Sequence, residues 1–286
     1  MATFTNQASL SYNGIVTNSN VIIGELQEVL SANKNAVSSA YAPGNDVTYL
    51  INLINSGTTA FPSLTVTDNL GAYAFGEGST LVPLAYVEDS AQYYVNGVPQ
   101  AAPAVSTAGG NLVFSGLSLP AGANATLVYE TTINQFAPPG TAGRITNQAV
   151  VSGTGVTAPL TITETVPASG EPSLSISKSL SPTTVTENGQ LTYTFLIQNT
   201  GNTAAVAADN VILTDTFDPI LNPISVTFNG TAWSAGANYT YSTATGVFAT
   251  LPGQITVPAA TYTQNPVTGA WSVNPGVSTL VITGTV

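Results

Sequence analysis

The chain has 286 residues, enough for two ordinary domains or one large β domain. It contains neither Cys nor His, which removes disulfides, thiol nucleophiles, the usual transition-metal ligands and the commonest neutral-pH base. Its 14 acids against Lys34, Arg144 and Lys178 give a net charge of −11, a surface that repels nucleic acid and anionic membranes.

Taken in chain order, the start "MATFTNQASL" lacks a basic stretch followed by a greasy block. It is not a standard secretory signal, so the expectation is a mature chain or unconventional export. No apolar run approaches membrane-spanning length, and no membrane insertion is expected. Residues 4–14, "FTNQASLSYNG", read as a strand. Residues 15–29 read as a linker; "GELQEVLSANK" at 24–34 is the one helix-like stretch, taken as linker running into a strand. From there the pattern is alternation of Thr, Val, Ile, Tyr and Phe with polar residues, as in "DVTYLINLIN" (46–55), "LTVTD" (64–68), "LTYTFLIQN" (191–199) and "STLVITGTV" (278–286). Period two, broken by Gly, Pro and Asn turns, predicts half-buried β-strands.

The chain repeats itself. "LSANKNAVSSAYAPGNDVTYLINLINSG" (30–57) aligns with "LSISKSLSPTTVTENGQLTYTFLIQNTG" (174–201), placing Lys34 on Lys178, Tyr49 on Tyr193, Asn55 on Asn199 and Gly57 on Gly201. "LTVTDNL" (64–70) falls on "VILTDTF" (211–217), Asp68 on Asp215. "YYVNGV" (93–98) falls on "VTFNGT" (226–231), each with an Asn-Gly hairpin signal, and "NATLVYETTI" (124–133) falls on "VSTLVITGTV" (277–286). The first repeat continues into "RITNQAVVSGTG"; the second stops at Val286 and is expected to lack its last strand. The missing piece resembles the head of the chain, where Thr5-Asn6-Gln7-Ala8 repeats Thr146-Asn147-Gln148-Ala149. The expected organisation is a donor strand at 1–14, a linker at 15–29, a complete sandwich at 30–155, a Gly/Pro/Ser-rich linker at 156–172 and an incomplete sandwich at 173–286.

A sandwich short of one strand leaves backbone groups unpaired beside core side chains. The first repeat already owns its last strand, so Phe4, Asn6, Ala8, Leu10 and Tyr12 would alternate into the second sandwich of another copy. Donor and groove lie at opposite ends, so the contact is heterologous and propagates as a filament unless a ring closes. Folding back onto the same chain's second sandwich and a disordered tail are the alternatives. The two Lys residues also sit at equivalent places, each repeat offering an Asp and a last-strand Asn. Lys34, Asp68 and Asn147 within the first sandwich, and Lys178, Asp215 and Asn6 between copies, are candidates for isopeptide bonds. A buried neutral amine would attack the Asn carboxamide beside a protonated acid, with loss of ammonia. A buried Lys–Asp ion pair with Asn hydrogen-bonded nearby fits the same residues.

On "LSISKSLSPTTVTENGQLTYTFLIQNTGN", "VILTDTF" and "ITNQAVVSG", the chain resembles the conserved-repeat family of bacterial and archaeal surface proteins, a domain family of unknown function. The Lys, Asp and Asn placement is similar to the isopeptide-forming domains of Gram-positive pilins and adhesins. The resemblance implies an all-β protein of two tandem immunoglobulin-like sandwiches, extracellular or on a cell or spore surface.

The expected function is a structural, self-polymerising subunit of an extracellular fibre, its partner being itself, with no cofactor and no metal site. Acid pairs such as Asp215 with Asp218 and Glu88 with Asp89 are read as solvated. The alternative is a monomeric adhesin or glycan-binding module using Tyr93, Tyr94, Trp233 and Trp271 as stacking surfaces. An enzyme is not expected, since nothing assembles a turnover site; self-linking would be a single event.

Overall fold

A computed structural model describes residues 2–286; Met1, the first residue of the expected donor segment, lies outside the described residues. The protein is almost entirely β, built as an N-terminal arm and two tandem immunoglobulin-like sandwiches.

The arm holds β1 (Ala2–Asn6), β2 (Ser9–Tyr12), β3 (Ile15–Asn18) and β4 (Ile22–Leu26). β1 pairs with β4 and β2 with β3, all antiparallel, making one long hairpin. Its turn is Asn13-Gly14, both at positive φ (45° and 78°), the combination a type I′ turn needs. The ladder breaks at the middle, where Ser19 Oγ accepts the Ala8 N–H and Gln7 Nε2 donates to Ser19 O. The Phe4 ring covers Gly24; a Cβ there would lie 2.3 Å from the ring Cζ. No residue from Thr3 to Ile23 is buried.

The first sandwich follows with β5 (Leu30–Ala36), β6 (Asp46–Asn55), β7 (Phe61–Asp68), β8 (Tyr73–Phe75), β9 (Ser79–Leu81), β10 (Leu84–Tyr86), β11 (Gln92–Val95), β12 (Val98–Pro99), β13 (Ala104–Ala108), β14 (Asn111–Leu119), β15 (Asn124–Ile133), β16 (Arg144–Gly153) and β17 (Leu160–Pro167). One sheet runs β12-β11-β15-β6-β5, with β10 also on β15; the other runs β13-β14-β7-β16-β17. Alternation drives the packing: Val47, Tyr49, Ile51 and Leu53 of β6 face Leu64 and Val66 of β7 and Phe114 of β14 in one core.

The second sandwich holds β18 (Leu174–Ser181), β19 (Gln190–Asn199), β20 (Thr214–Thr216), β21 (Ile224–Phe228), β22 (Thr231–Trp233), β23 (Tyr239–Tyr241), β24 (Val247–Thr250), β25 (Thr261–Gln264), β26 (Trp271–Asn274) and β27 (Gly276–Thr285). Its large sheet runs β18-β19-β27-β21-β22, matching β5-β6-β15-β11-β12 strand for strand. Its small sheet runs β20-β24-β23, matching β7-β14-β13. Among the described residues, nothing corresponds to β16 and β17, and no strand pairs with the outer edge of β20. A separate core gathers Leu191, Phe195, Phe217, Phe248 and Leu280.

Two stretches read as linkers from sequence carry strands here. Residues 15–29 contain β3 and β4, and residues 156–172 contain β17. The reason is the same in both places: a strand with a bare edge must satisfy its N–H and C=O groups, and the next β-branched segment folds back to do so.

Candidate functional site

In the first sandwich, Lys34 enters from β5, Asp68 from the end of β7 and Asn147 from β16, all buried. Lys34 reaches the core because β5 turns alternate residues inward, Leu30 and Lys34 among them. Its Nζ donates to Asp68 Oδ2 at 2.5 Å, both side chains wholly shielded from solvent. Tyr129, from β15, also donates its hydroxyl to Asp68 Oδ2. Asp68 Oδ1 accepts the Leu70 N–H at 2.8 Å, and Asn147 Oδ1 accepts the Gly71 N–H at 3.2 Å. The turn after β7 therefore clamps the carboxylate and the carboxamide together.

Two polar atoms in this core have no protein partner: Asn147 Nδ2 and the Tyr49 hydroxyl. Lys34 Nζ stands 4.8 Å from the centre of the Tyr49 ring. Burial lowers the Lys34 pKa to about 8, against the opposing pull of Asp68 and, more weakly, Glu164. Burial also pushes the Tyr49 and Tyr129 hydroxyls well up, and the negative charge of Asp68 adds to the shift. Chemically, the pocket holds an amine of reduced basicity, a carboxyl hydrogen-bonded to it, and a carboxamide whose nitrogen makes no hydrogen bond.

The second sandwich holds the amine and the carboxyl of this set. Lys178 Nζ donates to Asp215 Oδ2 at 2.5 Å, but the Lys178 side chain is 40 % exposed. It lies over the Tyr193, Phe195 and Phe217 rings at 4.5, 5.4 and 5.6 Å. Asn6 is on the exposed arm opposite Ile22, not beside Lys178. So the structure gathers Lys34, Asp68 and Asn147 and, within one chain, keeps Asn6 apart from Lys178 and Asp215. Phe4, Asn6, Ala8, Leu10 and Tyr12 are all exposed.

The aromatic residues considered for sugar stacking do not form one exposed row. Tyr93 is a core residue, its hydroxyl donating to Ser118 O at 3.0 Å; this corrects its reading as a surface ring, because β11 turns it inward against the opposite sheet. Trp233 stacks on Phe228 with centroids 4.8 Å apart, and the Trp271 Nε1 is buried. Sequence reasoning left Tyr129 out of the Lys–Asp–Asn set. Its alternation with Leu127 and Thr131 marked it as inward, but the second repeat has Ile282 there, so the repeat gave no signal for it.

No family model matches the chain, and no curated protein matches it, so the conserved-repeat likeness stands as a resemblance. Solved structures resemble it at low identity. BcpA, the major pilin subunit of Bacillus cereus, is 11 % identical with a TM-score of 0.37, covering 96 % of this chain and 73 % of that one. The pilus backbone RrgB from Streptococcus pneumoniae is 12 % identical with a TM-score of 0.33, covering 86 % of this chain and 55 % of that one. A collagen-binding domain from a Staphylococcus aureus adhesin is 10 % identical with a TM-score of 0.31, covering 50 % of this chain and 99 % of that one. Overlap at this level decides neither assembly nor chemistry.

Proposed function

We propose that the protein is a structural subunit of an extracellular filament, polymerising head to tail as each arm enters the second sandwich of a neighbour. The observation that carries this is a match between two ends of the molecule. The arm repeats the Thr-Asn-Gln-Ala run of β16, and the outer edge of β20, where β16 would pair, is bare among the described residues. Unpaired ladder groups next to core side chains favour strand addition. Because donor and acceptor surfaces differ, the contact is heterologous and propagates as a filament unless its rotation closes a ring.

The Lys, Asp and Asn sets are proposed to lock this fibre. In the first sandwich the Lys34 amine attacks Cγ of Asn147, a C–N bond forms, the original carboxamide nitrogen leaves as ammonia, and Asp68 carries the proton from Nζ to the leaving nitrogen. The buried, partnerless Asn147 Nδ2 favours this reading over a plain ion pair. Lys178, Asp215 and an incoming Asn6 would repeat the step between copies. The site turns over once and needs no cofactor.

Deleting residues 1–14 from the full chain tests assembly: negative-stain images are expected to lose filaments, and their persistence defeats the proposal. Intact mass tests the chemistry. Each bond removes one ammonia, and Asn6→Ala is expected to leave filaments that fall apart in hot detergent.

A further inference from the structure

We propose that the unit passed between copies is the whole β1–β4 hairpin and not a single strand. This rests on the filament reading above. In the first sandwich, closure is the work of two strands: β16 ladders with β7, while β17 ladders with β16 and lies along β5 of the opposite sheet. The inward row of β5 is Leu30, Ala32, Lys34 and Ala36; its counterpart on β18 is Leu174, Ile176, Lys178 and Leu180. Under the β17 cover Leu30 is 9 % exposed, whereas Leu174 is 38 % and Ile176 57 % exposed. A lone strand added to β20 would complete the small sheet and leave this apolar row in water, because β18 belongs to the other sheet. A second strand is needed to cover it.

The arm already has that second strand, paired in the same sense. Asn147 is opposite Glu164 in β16–β17, and Asn6 is opposite Ile22 in the arm. Placing Thr5–Ala8 on Thr146–Ala149 fixes the register. Ala149 lies opposite Asp68, so Ala8 falls opposite Asp215, Leu10 opposite Leu213 and Tyr12 opposite Val211. Phe4, Asn6, Ala8 and Leu10 then occupy the places of Ile145, Asn147, Ala149 and Val151, all buried in the first sandwich. Ile22 takes the place of Glu164, so the junction around Lys178 keeps Asp215 and gains an apolar cover instead of a second carboxylate. Ile22 of the arm and Ile176 of β18 are both exposed, and this register sets Ile22 beside Lys178, one inward position along β18 from Ile176.

Since the chain has no cysteine, engineered pairs report cleanly. Thr5 and Ile23 face each other across the arm, on the side away from Phe4 and Asn6. In the full-length T5C/I23C variant, the oxidised hairpin cannot open. Undiminished filament formation is expected. A monomeric oxidised form that regains filaments on reduction would overturn hairpin transfer while leaving single-strand donation intact. Filaments formed after deletion of residues 1–26 would overturn donation altogether. The register is read from L10C/L213C in an Asn6→Ala background: an intermolecular disulfide ladder, lost on reduction, is expected. A stronger ladder from S9C/L213C overturns the register, and a disulfide confined to monomers means the chain fills its own groove.

Discussion

Tyr49 and Tyr129 stack in one core with ring centroids 5.6 Å apart, yet their hydroxyls are in opposite situations. The Tyr129 hydroxyl donates to Asp68; that of Tyr49 has no partner. Tyr129→Phe leaves a carboxylate oxygen short of a donor and is expected to cost about 1–3 kcal/mol in denaturant unfolding. Tyr49→Phe removes a buried orphan and is expected to be neutral or stabilising in the same assay. Lys34 supplies the pH dependence. Its pKa of about 8 lies below the ordinary 10.5, so the folded state gives up this proton before the unfolded chain does. Wherever the bond has not formed, stability from this group therefore rises as pH climbs from about 8 to 10.5, and below that window the full penalty of the buried charge remains. The neutral amine is the nucleophile, so ammonia loss on refolding is expected to speed up about tenfold per pH unit below pKa and then level off, followed by intact mass. Asp68→Ala should abolish the mass change.

At the scale of elements, the repeated Asn-x-Gly at the end of β6 and β19 has a structural role. Asn55 donates to Thr59 O and Pro120 O, each at 2.9 Å, and accepts from the Gly57 N–H at 3.0 Å. Asn199 does the same with Thr203 O, Pro258 O and the Gly201 N–H. One buried side chain thus closes the turn and ties it to a distant loop in each sandwich. Asn55→Ala and Asn199→Ala are each expected to destabilise their own sandwich by about 2 kcal/mol or more, seen as a lowered unfolding midpoint. The arm depends on its turn in the same way. Gly14 sits at φ 78°, so Gly14→Val strains the turn, and slower filament formation is expected in light scattering. The repeat was legible because buried Asn and alternating apolar residues leave a sequence trace. The hairpin was less so: Asn13-Gly14 carried the same signal as Asn96-Gly97 and Asn229-Gly230, but no repeat pointed to it.

For the whole molecule, a charge of −11 on every copy opposes head-to-tail contact. Salt shortens the range of that repulsion to about 10 Å at 0.1 M. Assembly at fixed protein concentration is therefore expected to accelerate as salt rises from low millimolar to physiological; a rate that falls with salt would point to charge attraction at the junction. The sandwiches also touch each other directly: Asn202 Nδ2 donates to Pro139 O at 3.0 Å and the backbone N–H of Trp271 to Gln135 O at 2.9 Å. The β25–β26 hairpin carrying Trp271 has no counterpart in the first repeat, so this contact had no trace in the alignment.

What the amino-acid sequence determined by itself is local and periodic: strands from period two, two sandwiches from the repeat, and the kinship of the arm with β16 from four shared residues. These follow from the alternation of side chains on a pleated backbone, which is written in neighbouring positions. Only the tertiary structure decided that Tyr129 joins Lys34 and Asp68, that Asn147 Nδ2 is left without a partner, and that β17 covers β5. The meeting of Asp68 with Lys34 and Tyr129, and that of β17 with β5, join strands of opposite sheets. The register between sheets is set by how whole faces pack, and no short stretch of sequence encodes it.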